Sequence, residues 1–271
     1  MNAAAHNERP PALEIDNVTV RFGGLVAVSE VSISAAPGVI TGLIGPNGAG
    51  KTTTFNACTG VVPTASGTVS LGDYALGGHG TSTRAAHGLG RTFQRMELFD
   101  SMTVTENVGL GVESFLAARR SVVGQLFCPP KDRRIIQART QDAMEHCGIS
   151  HLARRAAGDL STGQRRLVEL ARAIATPFRF LLLDEPSSGL DPEETDRFGE
   201  ILRDFVDTSG VGILLVEHDM ALVSGICSYI YVLDFGRLIY HGPTAEALSS
   251  PIVLEAYLGA ESSALEEAAH A

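Results

Sequence analysis

Gly45-Pro46-Asn47-Gly48-Ala49-Gly50-Lys51-Thr52 limits what this chain can become more than any other stretch of it. It follows a short apolar run, Val39 to Ile44, and leads into Lys51 to Cys58, which can turn into a helix. In a strand, glycine-rich loop and helix of this kind, the loop's backbone amides close around phosphate oxygens, with the positive end of the helix dipole behind them. Lys51 is placed to reach terminal phosphates, and Thr52 to set its hydroxyl on Mg²⁺. Thr53, in the first helical turn, can face a phosphate with both amide and hydroxyl. A glycine turn that merely starts a helix is the plainer reading, but the full pattern directly after a strand favours phosphate.

Other strands fall into line with this one. Leu13 to Phe22 and Val31 to Ala35 alternate and are separated by Gly23-Gly24, which predicts an antiparallel start. Phe180 to Leu183 and Val211 to Val216 are apolar runs, with helical spacing at Arg165 to Ala175 and Glu193 to Val206. Strands alternating with helices predict a largely parallel sheet. From Met96 to Asp159 the chain is richer in Ala, Arg, Gln and Glu, and Ile135 to Cys147 has helical spacing, so an inserted helical subdomain is expected there. Glu261 to Ala271 is expected to fray.

The strongest strands each run into polar residues. Val39 to Ile44 enters the loop, Phe180 to Leu183 enters Asp184-Glu185, and Ile213 to Val216 enters Glu217-His218-Asp219. Ligands of open α/β sheets sit outside the carboxyl ends of the strands, so one site would collect all three clusters. Asp184 would hold Mg²⁺ through its water shell, while Glu185 would polarise a water attacking the terminal phosphoryl group. His218 could donate to that phosphate, and Gln94 could meet Mg²⁺ or the water. Ser161-Thr162-Gly163-Gln164 opens another helix. Ser161 with Gln164 three residues on is a capping-box pattern; a second anion-binding helix start is the functional alternative, and it makes sense facing a neighbouring chain's nucleotide.

Composition narrows the classes. With 271 residues and 44% hydrophobic content, the chain can bury a sizeable core. The four cysteines, Cys58, Cys128, Cys147 and Cys227, are too scattered for a zinc site or redox dithiol and read as reduced thiols of a cytosolic protein. Met1 to Ala12 has no apolar stretch of signal-peptide length, and no apolar run approaches the ~18 residues needed to cross a bilayer. Any membrane role must come through a partner. The net charge of -10 opposes binding to a nucleic-acid backbone.

In their order, these residues resemble the ATP-binding cassette (ABC) family from Leu13 to about Gly259. Gly45 to Thr53 is similar to Walker A, Gln94 to the Q-loop, Leu160 to Gln164 to the signature, Phe180 to Glu185 to Walker B with the catalytic glutamate, Ser188 to Asp191 to the D-loop and His218 to the H-loop. Phe22 stands where the family stacks an aromatic ring on adenine. The resemblance implies an α/β P-loop NTPase core with a mixed, largely parallel sheet and an N-terminal antiparallel β-subdomain. It places that core in 13–95 and 160–240, the helical subdomain in 96–159, a C-terminal extension in 241–259, and flexible tails at 1–12 and 260–271. It implies ATP and Mg²⁺ as ligands and two chains arranged head to tail, each phosphate loop facing the other's signature. Permease subunits would be driven from the cytoplasmic face of the inner membrane.

A narrower likeness is to cassettes of branched-chain amino acid importers. Arg91-Thr92-Phe93-Gln94, Glu217 to Met220 and Glu255-Ala256-Tyr257-Leu258-Gly259 carry it, whereas Thr162 departs from it, a Tyr being common there. The likeness implies a periplasmic solute-binding protein as an indirect partner. A lipid or lipopolysaccharide exporter cassette is the nearest alternative. A non-transport ABC ATPase acting on nucleic acid, and a nucleotide-binding module that does not hydrolyse, are further ones; the acidic balance opposes the former, and Glu185 with His218 the latter.

Overall fold

A computed structural model describes residues 10–92, 97–118, 129–247 and 249–257. Its central sheet runs edge to edge through Arg237–Pro243 (β10), Tyr229–Asp234 (β9), Ile40–Ile44 (β3), Gly212–Val216 (β8), Phe180–Asp184 (β7) and Leu89–Arg91 (β6). Neighbours are parallel except β10, which folds back on β9. Every residue of β3, β7 and β8 is buried, the condition under which a strand reads as an apolar run rather than an alternation. Leu43 pairs with Val216, and Val216 with Asp184, so the carboxyl ends of the three strands are level. The segments leaving these strands therefore meet at one edge.

A second, antiparallel sheet runs Leu25–Ala35 (β2), Leu13–Phe22 (β1), Ser66–Leu71 (β4) and Tyr74–Ala75 (β5). β2 starts at Leu25 rather than at Val31, as the alternation predicts. The register slips between Val18 and Val20, and Asn17 and Glu30 take positive φ of 48° and 54°. Such a bulge shifts the phase of a period-two pattern and hides the first half of the strand.

Both faces of the central sheet are covered. Leu43, Leu182, Leu214 and Val216 pack towards Phe55 of Lys51–Thr59 (α1) and the inward side chains of the antiparallel sheet. Ile44, Leu181, Leu183, Ile213 and Leu215 pack on the other side with Val104 and Val108 of Val104–Ala118 (α3), Val168 and Ala171 of Thr162–Ala175 (α5) and Phe198 of Pro192–Ser209 (α6). The alternation of Leu181, Leu182 and Leu183 between these two cores is the period of the strand. α3, Pro130–His146 (α4) and α5 pack on one another, and 251–257 is helical. No helix among the described residues is long and apolar enough to cross a membrane.

The buried Glu169 on α5 accepts from the Glu97 amide at 3.0 Å and from Arg166 at 3.0 Å, while Arg172 donates to the Glu97 carbonyl at 2.7 Å. Burial pushes the Glu169 carboxyl up, against the opposing pull of that amide and the two arginines. Glu97 is thus fastened to α5 through both its backbone groups.

Of the tails, residues 1–9 and 260–271 lie outside the described residues. Residues 10–12, expected within the first tail, are instead attached to the fold: Pro11 is buried and the Ala12 carbonyl accepts from Gly72 at 2.8 Å.

Candidate functional site

β3 ends in Gly45, whose φ is 145°. A Cβ there would fall on the Leu233 carbonyl oxygen, so no other residue fits the turn. Gly50 (φ 101°) starts α1 in the left-handed region and backs onto the Ala27 carbonyl. Between them the loop folds around the buried side chain of Lys51, whose Nζ donates to the carbonyls of Gly45 and Pro46 at 2.7 and 2.9 Å. Burial lowers the pKa of this ammonium, opposed by the charges of Glu185 and Asp184. The loop therefore holds a cation on its own carbonyls, ready to be exchanged for phosphate oxygens. Residues 47–53 and Glu185 line one cavity of about 400 Å³. A larger hollow, about 730 Å³ between α3 and α4, is lined by none of the candidate catalytic, ATP-binding or metal-binding residues.

β7 delivers the two acids. Asp184 is buried; its Oδ2 accepts from Arg91 at 2.9 Å, and Arg91 also donates to Asn56 of α1 at 2.7 Å. Burial raises the Asp184 carboxyl's pKa, with Arg91 opposing. Its Oδ1 is buried and has no hydrogen-bond partner among the described residues. An unpartnered carboxylate oxygen can accept from the water shell of a hydrated cation. Among the described residues no group of three or more His, Cys, Asp or Glu could hold one. Mg²⁺ needs no such cage, since one or two protein oxygens together with phosphates and water suffice. Thr52, exposed at the cavity, and Asp184, buried next to Glu185 and not itself part of the lining, fit that requirement.

Glu185 takes φ 49°, a conformation that costs a non-glycine residue about 1–3 kcal/mol and collects at functional sites. Its Oε1 lies 2.6 Å from His218 Nε2, and its amide donates to the Val216 carbonyl at 2.8 Å. The arrangement presents a carboxylate to the cavity with an imidazole behind it.

Sequence reasoning grouped Glu217 and Asp219 with His218 as residues at the ligand. The structure corrects this. Glu217 is buried and turned into the protein, where it accepts from the Ser187 amide and hydroxyl at 2.9 and 2.7 Å and from the His218 amide at 3.0 Å. Asp219 caps the helix Met220–Ile226 (α7) by accepting from the Ala221 and Leu222 amides. A carboxylate at a strand end is drawn to the nearest unpaired amides, and here these belong to the protein. Glu217→Ala strands three donors and is expected to destabilise the fold by about 3 kcal/mol, read as a shift of the urea midpoint; an unchanged midpoint would refute the scaffolding role.

Ser161 makes the full capping box, accepting from the Gln164 amide at 3.3 Å while its own amide donates to Gln164 Oε1 at 3.2 Å. Gly163 is pressed against the Glu194 carboxylate, and Gly189 (φ 85°) against Thr162. Ser161 and Thr162 are exposed, and none of residues 161–164 lines the cavity. Phe22 is 50% exposed at the tip of β1 and also outside the lining, although Leu25, its partner across the hairpin, lines it. Gln94 lies outside the described residues. Arg91 and Phe235 went unassigned in the reading of single residues. A cation three residues before Gln94, beside an apolar strand, was the available signal for Arg91; Phe235 had none beyond its place before a turn glycine.

The sequence profile of the ABC transporter family matches residues 28–188, more than half of the chain. This chain belongs to the ABC transporter family. Among its relatives, the "High-affinity branched-chain amino acid transport ATP-binding protein LivG" of Escherichia coli (strain K12) is 39% identical over 252 residues, 92% of this chain and 98% of LivG. The "Lipopolysaccharide export system ATP-binding protein LptB" of Escherichia coli (strain K12) is 34% identical over 247 residues, 91% of this chain and 97% of LptB. In three dimensions the chain is similar to the ADP conformation of MJ1267, an ATP-binding cassette of an ABC transporter, with a TM-score of 0.80 and 30% identity across 92% of this chain and 99% of that one.

As an ABC ATPase, the chain binds and hydrolyses ATP, and the cavity at the phosphate loop has the chemistry for both. It combines amides and a buried ammonium for the phosphates with a strained carboxylate for a water. The start of α5, which the family reading takes as the signature, stands apart from that cavity within one chain.

Proposed function

We propose that this ABC ATPase energises an importer for branched-chain amino acids or related polar solutes, as a dimer bound beneath separate permease subunits at the cytoplasmic face of the plasma membrane. The observation that carries the reading is a division of parts: one chain brings the phosphate loop and Glu185 to one cavity, while its exposed signature helix start lines none of it. Two chains placed head to tail complete each other's sites. The cassette spans 13–259, with 96–159 as its helical arm. The 39% identity to LivG, against 34% to LptB, supports the choice of solute.

In the completed site, amides of 47–50 and the ammonium of Lys51 hold the β- and γ-phosphates, and the Thr53 hydroxyl and amide meet a phosphate oxygen. Thr52 and, through water, Asp184 would hold Mg²⁺, and Gln94 is the further residue that would meet it. Mg²⁺, when bound, neutralises charge on the phosphate oxygens. Phe22 offers an aromatic face for adenine. Glu185 takes the proton from a water whose oxygen attacks the γ-phosphorus as its bond to the ADP oxygen breaks, and His218 holds the carboxylate and phosphate in line. Ser161, Thr162, Gly163 and Gln164 of the other chain cap the γ-phosphate from the far side.

The test of shared sites is complementation. Chains carrying Ser161→Arg are mixed with chains carrying Lys51→Ala; a mixed dimer keeps one intact composite site, so ATPase activity is expected to reappear where each variant alone is inactive. Verified mixed dimers without activity would sink the reading.

A lipid or lipopolysaccharide exporter is the second reading, favoured by the similarity to LptB over 97% of its length. The tagged chain, purified from membranes with its permeases and reconstituted in liposomes, separates the two. Stimulation by a solute-binding protein loaded with leucine supports import, and stimulation by lipopolysaccharide supports export. No role on nucleic acid is proposed.

A further inference from the structure

Phe235 is 89% exposed, the barest large apolar side chain among the described residues, and it takes φ 41°, where an aromatic residue is disfavoured. Its position is nonetheless fixed. The next residue, Gly236, donates its amide to the Ala49 carbonyl at 3.0 Å and accepts from the Ser29 amide at 2.8 Å; a Cβ on it would strike the Ala27 carbonyl. The β9–β10 turn is thereby clamped between β2 and the phosphate loop, and Phe235 stands at the rim of the cavity that the loop lines. Leu25, 66% exposed, lines the same cavity. One side of the hollow thus offers amides, hydroxyls and an ammonium, and the rim offers bare carbon. Strain that persists on an uncovered aromatic ring points to a ligand that covers it.

We propose that Phe235, with Leu25, forms an apolar wall that receives the nucleoside end of the bound triphosphate, so that base binding does not depend on Phe22 alone. The inference rests on the reading of the cavity as the ATP site. An aromatic ring against a base is sequence-tolerant and strong enough to matter for affinity. Because Phe235 lies outside the core, its truncation leaves no internal void.

The full chain is titrated with ATP and, separately, with inorganic tripolyphosphate, which has the phosphates and no nucleoside. Phe235→Ala is expected to weaken ATP binding by roughly ten-fold, equivalent to about 1.4 kcal/mol, and to leave tripolyphosphate affinity unchanged; Phe235→Tyr is expected to restore ATP affinity. The wall is refuted if Phe235→Ala binds ATP like the parent chain, or if it loses both ligands in equal measure. It is also refuted if ATP affinity holds while ATP-driven association of two chains is lost, since the ring would then belong to a chain–chain contact. A parent chain that binds neither ligand overturns the ATP-site reading itself, and the wall with it.

Discussion

Glu185→Gln is expected to bind ATP as the parent chain does and to turn it over about 10²–10⁴-fold more slowly, the span associated with losing a general base. The substitution keeps the size and shape of the side chain and removes its capacity to accept the proton of the attacking water. Its amide can still meet His218, which lies 2.6 Å from the carboxylate, so the surroundings are preserved. Since binding survives and hydrolysis does not, ATP should accumulate between two chains, and the variant is expected to sediment as a dimer with ATP and as a monomer without it. Steady-state ATPase activity with Mg²⁺ equal to that of the parent would remove Glu185 from the reaction.

Lys51→Ala is expected to fail one step earlier. A charge-assisted hydrogen bond is worth about 1.5–3 kcal/mol, so nucleotide affinity should fall about ten- to a hundred-fold, measured by titration. The ammonium already holds the Gly45 and Pro46 carbonyls, and those acceptors lose their partner in the variant. Part of the effect should therefore appear without nucleotide, as a lower melting temperature. Wild-type affinity at an unchanged melting temperature would contradict the part assigned to the loop.

How much of this was visible in the sequence depended on how locally each feature is determined. The three strands that carry the site are buried throughout, so their apolar runs stood out, and the loop after β3 is set by its own glycines. β4 was not legible because a strand that opens with Ser, Gly and Thr does not look like one until β1 pairs with it. Half of β2 was lost to the bulge at Glu30. In the site, Lys51 and Glu185 were found by spacing and do line one cavity. Glu217 was misjudged because two acids in one short segment look alike in sequence, whereas their neighbours in space differ: Ser187 comes from the turn after β7, 30 residues away. Phe235 depends on the same kind of long-range placement, beside a loop more than 180 positions earlier in the numbering.

α5 runs 14 residues, about 21 Å of rigid rod. Just before its first turn stands the capping Ser161; two to three turns along, Glu169 and Arg172 grip the backbone of Glu97. Whatever tugs on Glu97 consequently tugs on a stiff shaft whose tip is an exposed helix start. Such a shaft needs no bending to carry a stroke, and it runs in reverse equally well: seating the tip on a nucleotide would haul the far linkage with it.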